Sequence, residues 1–159
     1  MIEIVQVKEE GPLMEQIRSL FRSYAYELGE DLCFQGFDAE LDDPLAKYRP
    51  PAGALYLASL GDEVAGCIAL MPLPDPGVCE MKRLYVKPHL RRNKAGDLLV
   101  AQLLHHARQL NYHTMKLDTL TRLEPAIALY RRYGFQETTA YYTNPLPGVV
   151  YMEITLLQK

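Results

Sequence analysis

A run of basic side chains between positions 82 and 94 is the part of this sequence whose residue types most clearly indicate chemistry. From Cys79 to Val100 the chain reads CEMKRLYVKPHLRRNKAGDLLV, which predicts a short apolar strand, a basic loop and the start of an amphipathic helix. The six basic residues of this stretch, with no acidic residue between them, are Lys82, Arg83, Lys87, Arg91, Arg92 and Lys94. Because the whole chain has a formal net charge of -3, this local excess of positive charge predicts a local anionic partner.

The loop within this run and the helix after it could together bind an anion. Backbone N–H groups at a helix N-terminus, here around Arg92 to Gly96, are free to donate hydrogen bonds to an anionic group. Gly96 allows close approach of the backbone, and Arg91 and Arg92 add charge-assisted hydrogen bonds. The alternative interpretation is a solvated basic loop with no ligand, as most such runs are.

Hydrophobic spacing and turn residues predict the elements that position these side chains. Apolar residues at three- and four-residue spacing from Leu13 to Leu28 indicate an amphipathic helix that ends at Gly29. Apolar runs separated by turn residues indicate the strands. In chain order we predict a strand at 2–7, helices at 13–28 and 37–46, strands at 54–60, 63–70 and 79–86, a helix at 95–110, a strand at 114–120, a helix at 126–133, and strands at 135–142 and 149–156.

This order, β-α-α-β-β-β-α-β-α-β-β, predicts an α/β (α+β) fold with a single mixed, mostly antiparallel sheet. The strand-helix-strand crossover in the middle of the chain should be parallel and right-handed, and the hairpins on either side should be antiparallel. Helices should therefore cover both faces of the sheet. With 159 residues, of which 48% are hydrophobic, the chain predicts one globular domain over residues 1–159.

Composition argues against several classes of protein. The negative net charge disfavours general nucleic-acid binding, and the apolar runs are far shorter than the roughly 18 residues of a membrane-spanning helix. The N-terminal sequence MIEIVQVKEE lacks the basic and apolar segments of a secretory signal. The cysteines Cys33, Cys67 and Cys79 are odd in number and share no CxxC spacing, so neither a disulfide framework nor a metal site is expected. A reducing, cytoplasmic location fits best.

Two motifs, together with the element order, give this sequence its resemblance to a known family. The segment from Glu80 to Gly96 is similar to the acetyl-CoA motif of the GNAT superfamily of acyl-CoA N-acyltransferases, a strand followed by R-x-x-G-x-G/A. The segment AIALYRRYGF, from Ala126 to Phe135, resembles the helix and strand that border the cofactor thiol in that family. The element order is also that of the family. The resemblance therefore spans most of the chain and implies a GNAT fold over residues 1–159.

The resemblance implies that the protein transfers an acetyl group from acetyl-CoA to a primary amine by direct attack in a ternary complex. The pantetheine arm would pair with the strand at Leu84, Tyr85 and Val86, as an added strand does. The residues implied to hold the pyrophosphate are Arg91, Arg92, Asn93, Lys94, Ala95 and Gly96. Lys94 stands where the family has its first glycine, which predicts either a variant loop or a lysine turned outward. Leu123 stands where the family often has an asparagine.

Glu80 resembles the family's general base, and Tyr130 resembles its general acid. A glutamate in an apolar strand can have a raised pKa and accept a proton, whereas the phenol can give a proton to the departing thiolate. The backbone N–H near Tyr85 or Val86 would stabilise the carbonyl oxygen. The alternatives are that Glu80 only pairs with Lys82 and that Tyr130 is a core residue. A non-catalytic acyl-CoA-binding or regulatory module on the same fold is the alternative function.

In the family, the first helices and the last strands usually form the acceptor site. The aromatic residues implied to bind the acceptor here are Tyr24, Phe34, Phe37, Tyr141 and Tyr142. The stretch from Glu27 to Asp43 contains seven acidic residues and no Lys or Arg, so a cationic amine is one expectation and a solvated acidic helix face is the other. A homodimer through the C-terminal strand and a monomer are both compatible with the sequence.

Overall fold

A seven-stranded sheet between two layers of helices forms the structure, a computed structural model that describes residues 1–157. The strands are β1 (Ile2–Gln6), β2 (Ala54–Leu60), β3 (Glu63–Pro72), β4 (Val78–Val86), β5 (Thr114–Leu120), β6 (Gln136–Thr138) and β7 (Val149–Thr155). The helices are α1 (Pro12–Leu28), α2 (Phe37–Asp42), α3 (Pro44–Tyr48), α4 (Ala95–Gln109) and α5 (Glu124–Arg132). Gln158 and Lys159, the end of the predicted domain, lie outside the described residues.

The strand order of the sheet is β1-β2-β3-β4-β5-β7-β6. Only β4 and β5 pair in parallel, and the other neighbouring strands pair antiparallel. The predicted mixed, mostly antiparallel sheet with helices on both faces is therefore confirmed. The parallel pair extends only from Val78↔Thr114 to Glu80↔Lys116, although both strands continue beyond it. The two strands separate after Glu80, and this opening lies where open sheets usually bind ligands.

Helix α1 covers one face of the sheet. Pro12 stands in its first turn, where a missing N–H costs nothing, and Gly29 ends it with a left-handed φ of 71°. Its buried side chains pack with side chains of β2 and β3, and this cluster includes Ile17, Phe21, Leu55 and Cys67. Helices α2 and α3 extend the same layer.

Helices α4 and α5 cover the other face. Leu99, Leu103 and Ala107 recur along α4 and pack with the larger apolar cluster, which also includes Met115 of β5 and Leu129 of α5. Burial of this continuous apolar surface holds α4 in register behind β3 and β4. The N-terminus of α4 is thereby fixed beside the end of β4.

The structure differs from the sequence prediction at two places. The helix predicted at 37–46 is divided into α2 and α3, because Pro44 lacks the N–H that would continue α2. The strand predicted at 135–142 contains only Gln136–Thr138, and the chain then leaves the sheet. The phenols of Tyr141 and Tyr142 instead hydrogen-bond to Glu80 on β4 and Asp118 on β5. This departure carries both tyrosines over the opening between the two strands.

Candidate active site

A β-bulge in β4 shapes the opening beside β5. The pairing of β4 with β3 shifts register between Cys67↔Tyr85 and Ala69↔Lys82, so that two residues of β4 lie opposite one residue of β3. Arg83, inside the bulge, has a φ of 60°. Bulges disrupt the ladder and re-aim side chains, and they are common next to active sites. The bulge therefore leaves irregular backbone on the edge of β4 that faces the opening.

The side chain of Arg83 is buried and paired with a carboxylate from α2. Its Nε and Nη2 donate to the two Glu40 oxygens at 2.8 and 2.9 Å. Lys47 of α3 donates to the same carboxylate at 2.9 Å. Burial alone would raise the pKa of Glu40, but hydrogen bonds and charge from Arg83 and Lys47 hold this pKa below its ordinary value. The three residues connect α2 and α3 to the bulge.

The largest cavity of the opening, here named the Arg91 cavity, has a volume of about 530 Å³. Backbone and side chains of Leu84, Tyr85 and Val86 form one wall, and Gly96 at the start of α4 forms another. Arg91 crosses the mouth: its Nε donates to the Val86 carbonyl at 2.8 Å and its Nη2 donates to Glu27. The cavity thus combines an unpaired strand edge, a helix N-terminus and positive charge.

A smaller cavity of about 80 Å³, the Tyr130 cavity, continues from the Arg91 cavity toward the bulge. Leu84, Leu123 and Ala126 line both cavities. The Tyr130 ring packs edge-on against Phe135, and the two ring centroids are 5.8 Å apart. Burial raises the pKa of the Tyr130 phenol. The phenol is therefore protonated at neutral pH. Among residues 1–157 its hydroxyl makes no hydrogen bond.

A third cavity, the Glu80 cavity, lies on the other side of the Tyr130 cavity and has a volume of about 380 Å³. Gln35 and Lys82 line both of these cavities. The residues that line the Glu80 cavity are Phe34, Gln35, Lys47, Met71, Leu73, Pro74, Asp75, Val78, Glu80, Lys82, Lys116, Tyr141 and Tyr142. The three cavities therefore adjoin one another along the separation of β4 and β5.

Glu80 is the carboxylate at the centre of this third cavity. It is 4% exposed, and its Oε2 accepts a hydrogen bond from the Tyr141 phenol. Burial raises the pKa of Glu80, although Lys82 and the Tyr141 hydrogen bond act in the opposite direction. Lys82 lies 3.9 Å away from Glu80 Oε1, and burial lowers the pKa of its ammonium. A carboxylate in this setting can accept a proton from a neighbouring group.

A family model described as "Acetyltransferase (GNAT) family" matches residues 14–135, which include β4, α4 and α5. The chain belongs to the GNAT family. An uncharacterized N-acetyltransferase of Schizosaccharomyces pombe is 44% identical over 144 residues, which cover 90% of this chain and 88% of that protein. The predicted membership is therefore confirmed.

Solved structures of GNAT proteins have the same fold. A putative acyl-CoA N-acyltransferase from Klebsiella pneumoniae superposes with a TM-score of 0.75 at 29% identity, over 99% of each chain. A Bacillus subtilis acetyltransferase, solved in complex with CoA, gives a TM-score of 0.70 at 22% identity, over 99% of this chain and 100% of that chain. No helix within residues 1–157 of this GNAT protein is long and apolar enough to cross a membrane.

Five of the nine residues implied to bind the cofactor line the Arg91 cavity of this GNAT protein: Leu84, Tyr85, Val86, Arg91 and Gly96. Arg92, Asn93 and Lys94 are exposed and do not line the cavity, and Ala95 is buried beneath the helix start. Lys94 has a left-handed φ of 62° immediately before α4. The loop therefore keeps a conformation that favours glycine, and the lysine side chain points outward.

The residues implied to bind the acceptor do not all line the same cavity. Phe34, Tyr141 and Tyr142 line the Glu80 cavity, whereas Tyr24 lines the other two cavities. Phe37 packs beneath the Arg83 guanidinium, 5.3 Å from its ring centroid, and lines none of the three. None of the seven acids between positions 27 and 43 lines the Glu80 cavity. The acidic residues that favoured a cationic acceptor therefore do not line this cavity, whereas Tyr141 and Tyr142 do.

Several polar residues of the site were not predicted from the sequence. Arg122 and Arg132 line the Arg91 cavity, and Arg132 follows Leu129 and Pro125 at helical spacing on the same face of α5. That spacing could have identified Arg132. Asp118 on β5 accepts hydrogen bonds from Tyr142 and from Asn144, the latter at 2.7 Å, and it lines the Tyr130 cavity. Asp118 lies two residues after Lys116 in β5 and therefore on the same face of the strand, which was the sequence signal that could have identified it.

Proposed function

We propose that this protein is an acetyl-CoA-dependent N-acetyltransferase whose domain extends over residues 1–159 and whose acceptor is a primary amine. The observation that carries this proposal is the series of three adjoining cavities along the opening between β4 and β5. A buried glutamate lies in the last of them and a buried tyrosine in the middle one. Donor and acceptor can therefore approach from opposite ends and meet beside the bulge, as direct transfer requires.

The Arg91 cavity fits the chemistry of acetyl-CoA. Arg91, Arg122 and Arg132 supply cations for its phosphates, and the turn at Lys94 directs backbone N–H groups of the α4 N-terminus outward. Within residues 1–157 the edge of β4 beyond Glu80 that faces β5 has no strand partner, so it can pair with the amides of the pantetheine arm. A Bacillus subtilis protein of this fold has been solved with CoA. When bound, acetyl-CoA would supply the acetyl group as an activated thioester.

Glu80 is proposed as the general base. An alkylammonium has no lone pair, and a free amine has a pKa of about 10, so a proton must leave before attack. The raised pKa of Glu80, which results from burial, makes its carboxylate a better proton acceptor than an exposed glutamate. Tyr141 holds Oε2 of this carboxylate by a hydrogen bond, which leaves Oε1 to receive the proton.

The backbone beside the bulge and the phenol of Tyr130 complete the proposed mechanism. N–H groups of β4 near Leu84, Tyr85 and Val86 stabilise the acetyl oxygen as the new C–N bond forms and the C–S bond breaks. Tyr130 keeps its proton at neutral pH because burial raises its pKa, and its hydroxyl faces the Tyr130 cavity. That proton passes to the departing sulfur, and Glu80 retains the proton that the ammonium lost before attack. The second proton that the nitrogen loses as the amide forms restores the Tyr130 phenol, and Glu80 then releases its proton to solvent.

Cys79 is a poor candidate for an acetylated intermediate. Burial raises the pKa of its thiol to about 12, so the thiolate is scarce at neutral pH. The thiol also faces away from Glu80, with its Sγ 3.6 Å from the Thr114 carbonyl oxygen. Direct attack of the amine on the thioester is therefore favoured over a ping-pong pathway.

The test is release of free CoA from acetyl-CoA in the presence of a panel of small amines, polyamines and peptides. We expect amine-dependent release by the wild-type protein. Substitution Glu80→Gln should lower kcat by about 10²–10⁴-fold, because it removes the base, and should leave the Kd for acetyl-CoA unchanged. Calorimetry with acetyl-CoA measures that Kd.

The exposed Glu63, at the start of β3, provides the matched control. Glu63→Gln makes the same chemical change at a residue that lines none of the three cavities, and it should retain full turnover. If Glu80→Gln also retains full turnover, Glu80 is not the base. If the wild type binds acetyl-CoA and transfers to no amine in the panel, the protein is the non-catalytic binding module instead.

A further inference from the structure

Lys82 in the Glu80 cavity is a buried cation that lacks the partners given to other buried cations nearby. It is 8% exposed, yet among residues 1–157 its ammonium donates no hydrogen bond. Its closest carboxylate oxygen there, Glu80 Oε1, is 3.9 Å away and too distant for a hydrogen bond. By contrast, the buried Arg83 on the same strand has two acceptors in Glu40, at 2.8 and 2.9 Å. A buried ammonium with unfilled donors is costly, so a ligand acceptor would satisfy it.

The charges around Lys82 favour an anion in this cavity. Three lysines, Lys47, Lys82 and Lys116, line it, against two acids, Asp75 and Glu80. Lys116 lies directly opposite Glu80 in the strand register, and its Nζ is 5.3 Å from the Tyr141 ring centroid. Its own carboxylate partner, Glu153, lies 3.6 Å away and does not line the cavity. The lining therefore has a positive excess, which is the reverse of an acidic wall.

The spacing of Glu80 and Lys82 fits a ligand that has both charges on one carbon. In an α-amino acid, the amine nitrogen and a carboxylate oxygen are separated by about one hydrogen-bond length. Placed against the pair, the amine can reach Glu80 Oε1 while the carboxylate reaches Lys82 Nζ, because those two atoms are 3.9 Å apart. The four charges then alternate in sign around a small square. A ligand with no carboxylate would leave the Lys82 side of the square unfilled.

Gln35 offers a further contact for the amine. Its Oε1 is buried and has no hydrogen-bond partner among residues 1–157, while its Nε2 donates to the Tyr142 hydroxyl at 3.0 Å. The Tyr142 hydroxyl gives its own proton to Asp118, so it must accept from Gln35. This network fixes the amide orientation and leaves Oε1 as a free acceptor at the boundary of the Tyr130 and Glu80 cavities. An amine N–H would satisfy it.

The remainder of the cavity wall is apolar. Met71, Leu73, Pro74 and Val78 line it from the adjoining ends of β3 and β4 and the turn between them, and Phe34 lines it from the segment before α2. A volume of about 380 Å³ is within the range of small-ligand sites. An apolar group on the same carbon as the amine and the carboxylate would contact this wall and remove it from water.

The geometry points to an α-amino acid with an apolar side chain as the acceptor, with its carboxylate bound by Lys82 and its amine between Glu80 and Gln35. This inference rests on the proposed function and specifies its substrate class. Lys82 is then a specificity-determining residue that contacts the acceptor.

Matched trios of amines test the inference on the wild-type protein, so that no variant has to fold. Each trio contains an amino acid, its amide and the amine without the carboxylate: leucine, leucinamide and isopentylamine, with the alanine and phenylalanine sets beside it. We expect kcat/KM for at least one amino acid to exceed that of both its partners by about tenfold to a hundredfold. The amine of an amino-acid amide has a lower pKa than the amine of the free amino acid, so a larger fraction of it is unprotonated at neutral pH. This difference favours transfer to the amide, and a preference for the amino acid would have to overcome it.

The Lys82→Met variant locates the preference, since methionine keeps the length of the side chain and removes its charge. It should lose most of the preference for the acid over the amide. Binding of leucine and isopentylamine to the protein without acetyl-CoA, measured by NMR titration, should show the same preference and its loss. Circular dichroism and thermal unfolding check that the variant is folded.

Amides or carboxylate-free amines that match the amino acids in every trio overturn the inference and leave the proposed function standing. A preference that persists undiminished in Lys82→Met overturns the assignment to Lys82. Absence of transfer to any amine, with acetyl-CoA still bound, overturns the proposed function together with the inference. The outcomes therefore separate the two.

Discussion

Two buried ion pairs involve consecutive residues of β4, Lys82 and Arg83, and they differ in how completely their hydrogen bonds are satisfied. Arg83 and Glu40 meet through two hydrogen bonds, and Lys47 adds a third. Lys82 and Glu80 face each other at 3.9 Å with no hydrogen bond between them. Both pairs are almost wholly buried, so burial does not distinguish them. The first pair is closed and structural, whereas the second is open toward a cavity and available to a ligand.

The difference shows why a buried charge is not by itself a sign of function. A closed pair has its lone pairs and protons satisfied within the protein, and removal of one member leaves an uncompensated charge. An open pair keeps unfilled donors and acceptors, which is costly to the folded state and useful to a site.

The closed pair should give the largest effect on stability. Substitution Arg83→Met leaves the Glu40 carboxylate without its main partner in a buried position, and we expect a loss of about 3–5 kcal/mol in the free energy of unfolding. Urea denaturation followed by circular dichroism measures this quantity. Methionine occupies the same backbone position with φ of 60°, so backbone strain is unchanged.

The double variant Glu40→Met with Arg83→Met is the control. It removes both charges, and Lys47, which is partly exposed, can turn to solvent. Recovery of a large part of the lost stability is expected. A double variant as unstable as Arg83→Met would mean that the packing of Arg83, and not its pairing, stabilises the protein.

The two glutamates should affect stability with opposite dependence on pH. The pKa of Glu40 is lowered in the folded protein, so its stabilising effect is present above the ordinary value of 4.5 and is lost as the pH falls through the lowered value. The pKa of Glu80 is raised by burial, so its favourable contribution is present below 4.5 and is lost as the pH rises through the raised value.

Unfolding free energies measured from pH 3 to pH 8 for Glu40→Gln, Glu80→Gln and the wild type therefore test the comparison. The free energy of unfolding of Glu40→Gln should be lower than that of the wild type near neutral pH and should approach it as the pH is lowered. Glu80→Gln should gain relative stability as the pH rises. Neither difference can change by more than about 1.4 kcal/mol per pH unit, because each involves one proton. Parallel curves for the two variants would contradict the distinction between the pairs.

The open pair should give the smallest effect on stability. Lys82→Met removes an ammonium that has no hydrogen bond, and Glu80 keeps its Tyr141 hydrogen bond and can take up a proton. The loss of ion-pair attraction and the relief of a buried charge then oppose each other. We expect the free energy of unfolding to change by less than about 1 kcal/mol. A loss as large as that of Arg83→Met, in the same urea experiment, would show that the pair is structural.

The sequence predicted the fold and the side of the site that is contiguous in the chain. Apolar spacing and turn residues such as Gly29 identified nearly every element, because these signals act over a few residues. The stretch from Leu84 to Gly96 was predicted from its basic run before a helix start and from the resemblance to the GNAT superfamily, because one strand, one loop and one helix start form it. Five of the nine residues predicted there line the Arg91 cavity. Alternation of side chains along a strand also explains why Glu80 faces the cavity and Cys79 faces the opposite core.

The other side of the site could not be predicted because tertiary structure assembles it. Gln35, Lys47, Asp75 and Lys116 reach the Glu80 cavity from four separate segments, and nothing in their local sequence distinguishes them from surface residues. Within the acidic stretch, Glu40 turns inward and pairs with Arg83 at the bulge, a contact that the local sequence does not indicate. Contacts between single charged residues that are far apart in the chain produce no repeating pattern in the sequence, so they cannot be predicted from it.

The bulge at Arg83 also changes the phase of the strand. Before it, the even-numbered residues Glu80 and Lys82 face the α1 layer, whereas after it the odd-numbered Tyr85 does so and Val86 joins the opposite core. The alternation of side chains between the two faces is therefore shifted by one residue after the bulge, relative to a regular strand. One continuous strand can in this way present charged side chains to one ligand and an aromatic ring to another. Loss of a single residue at the bulge would exchange the two faces of its second half.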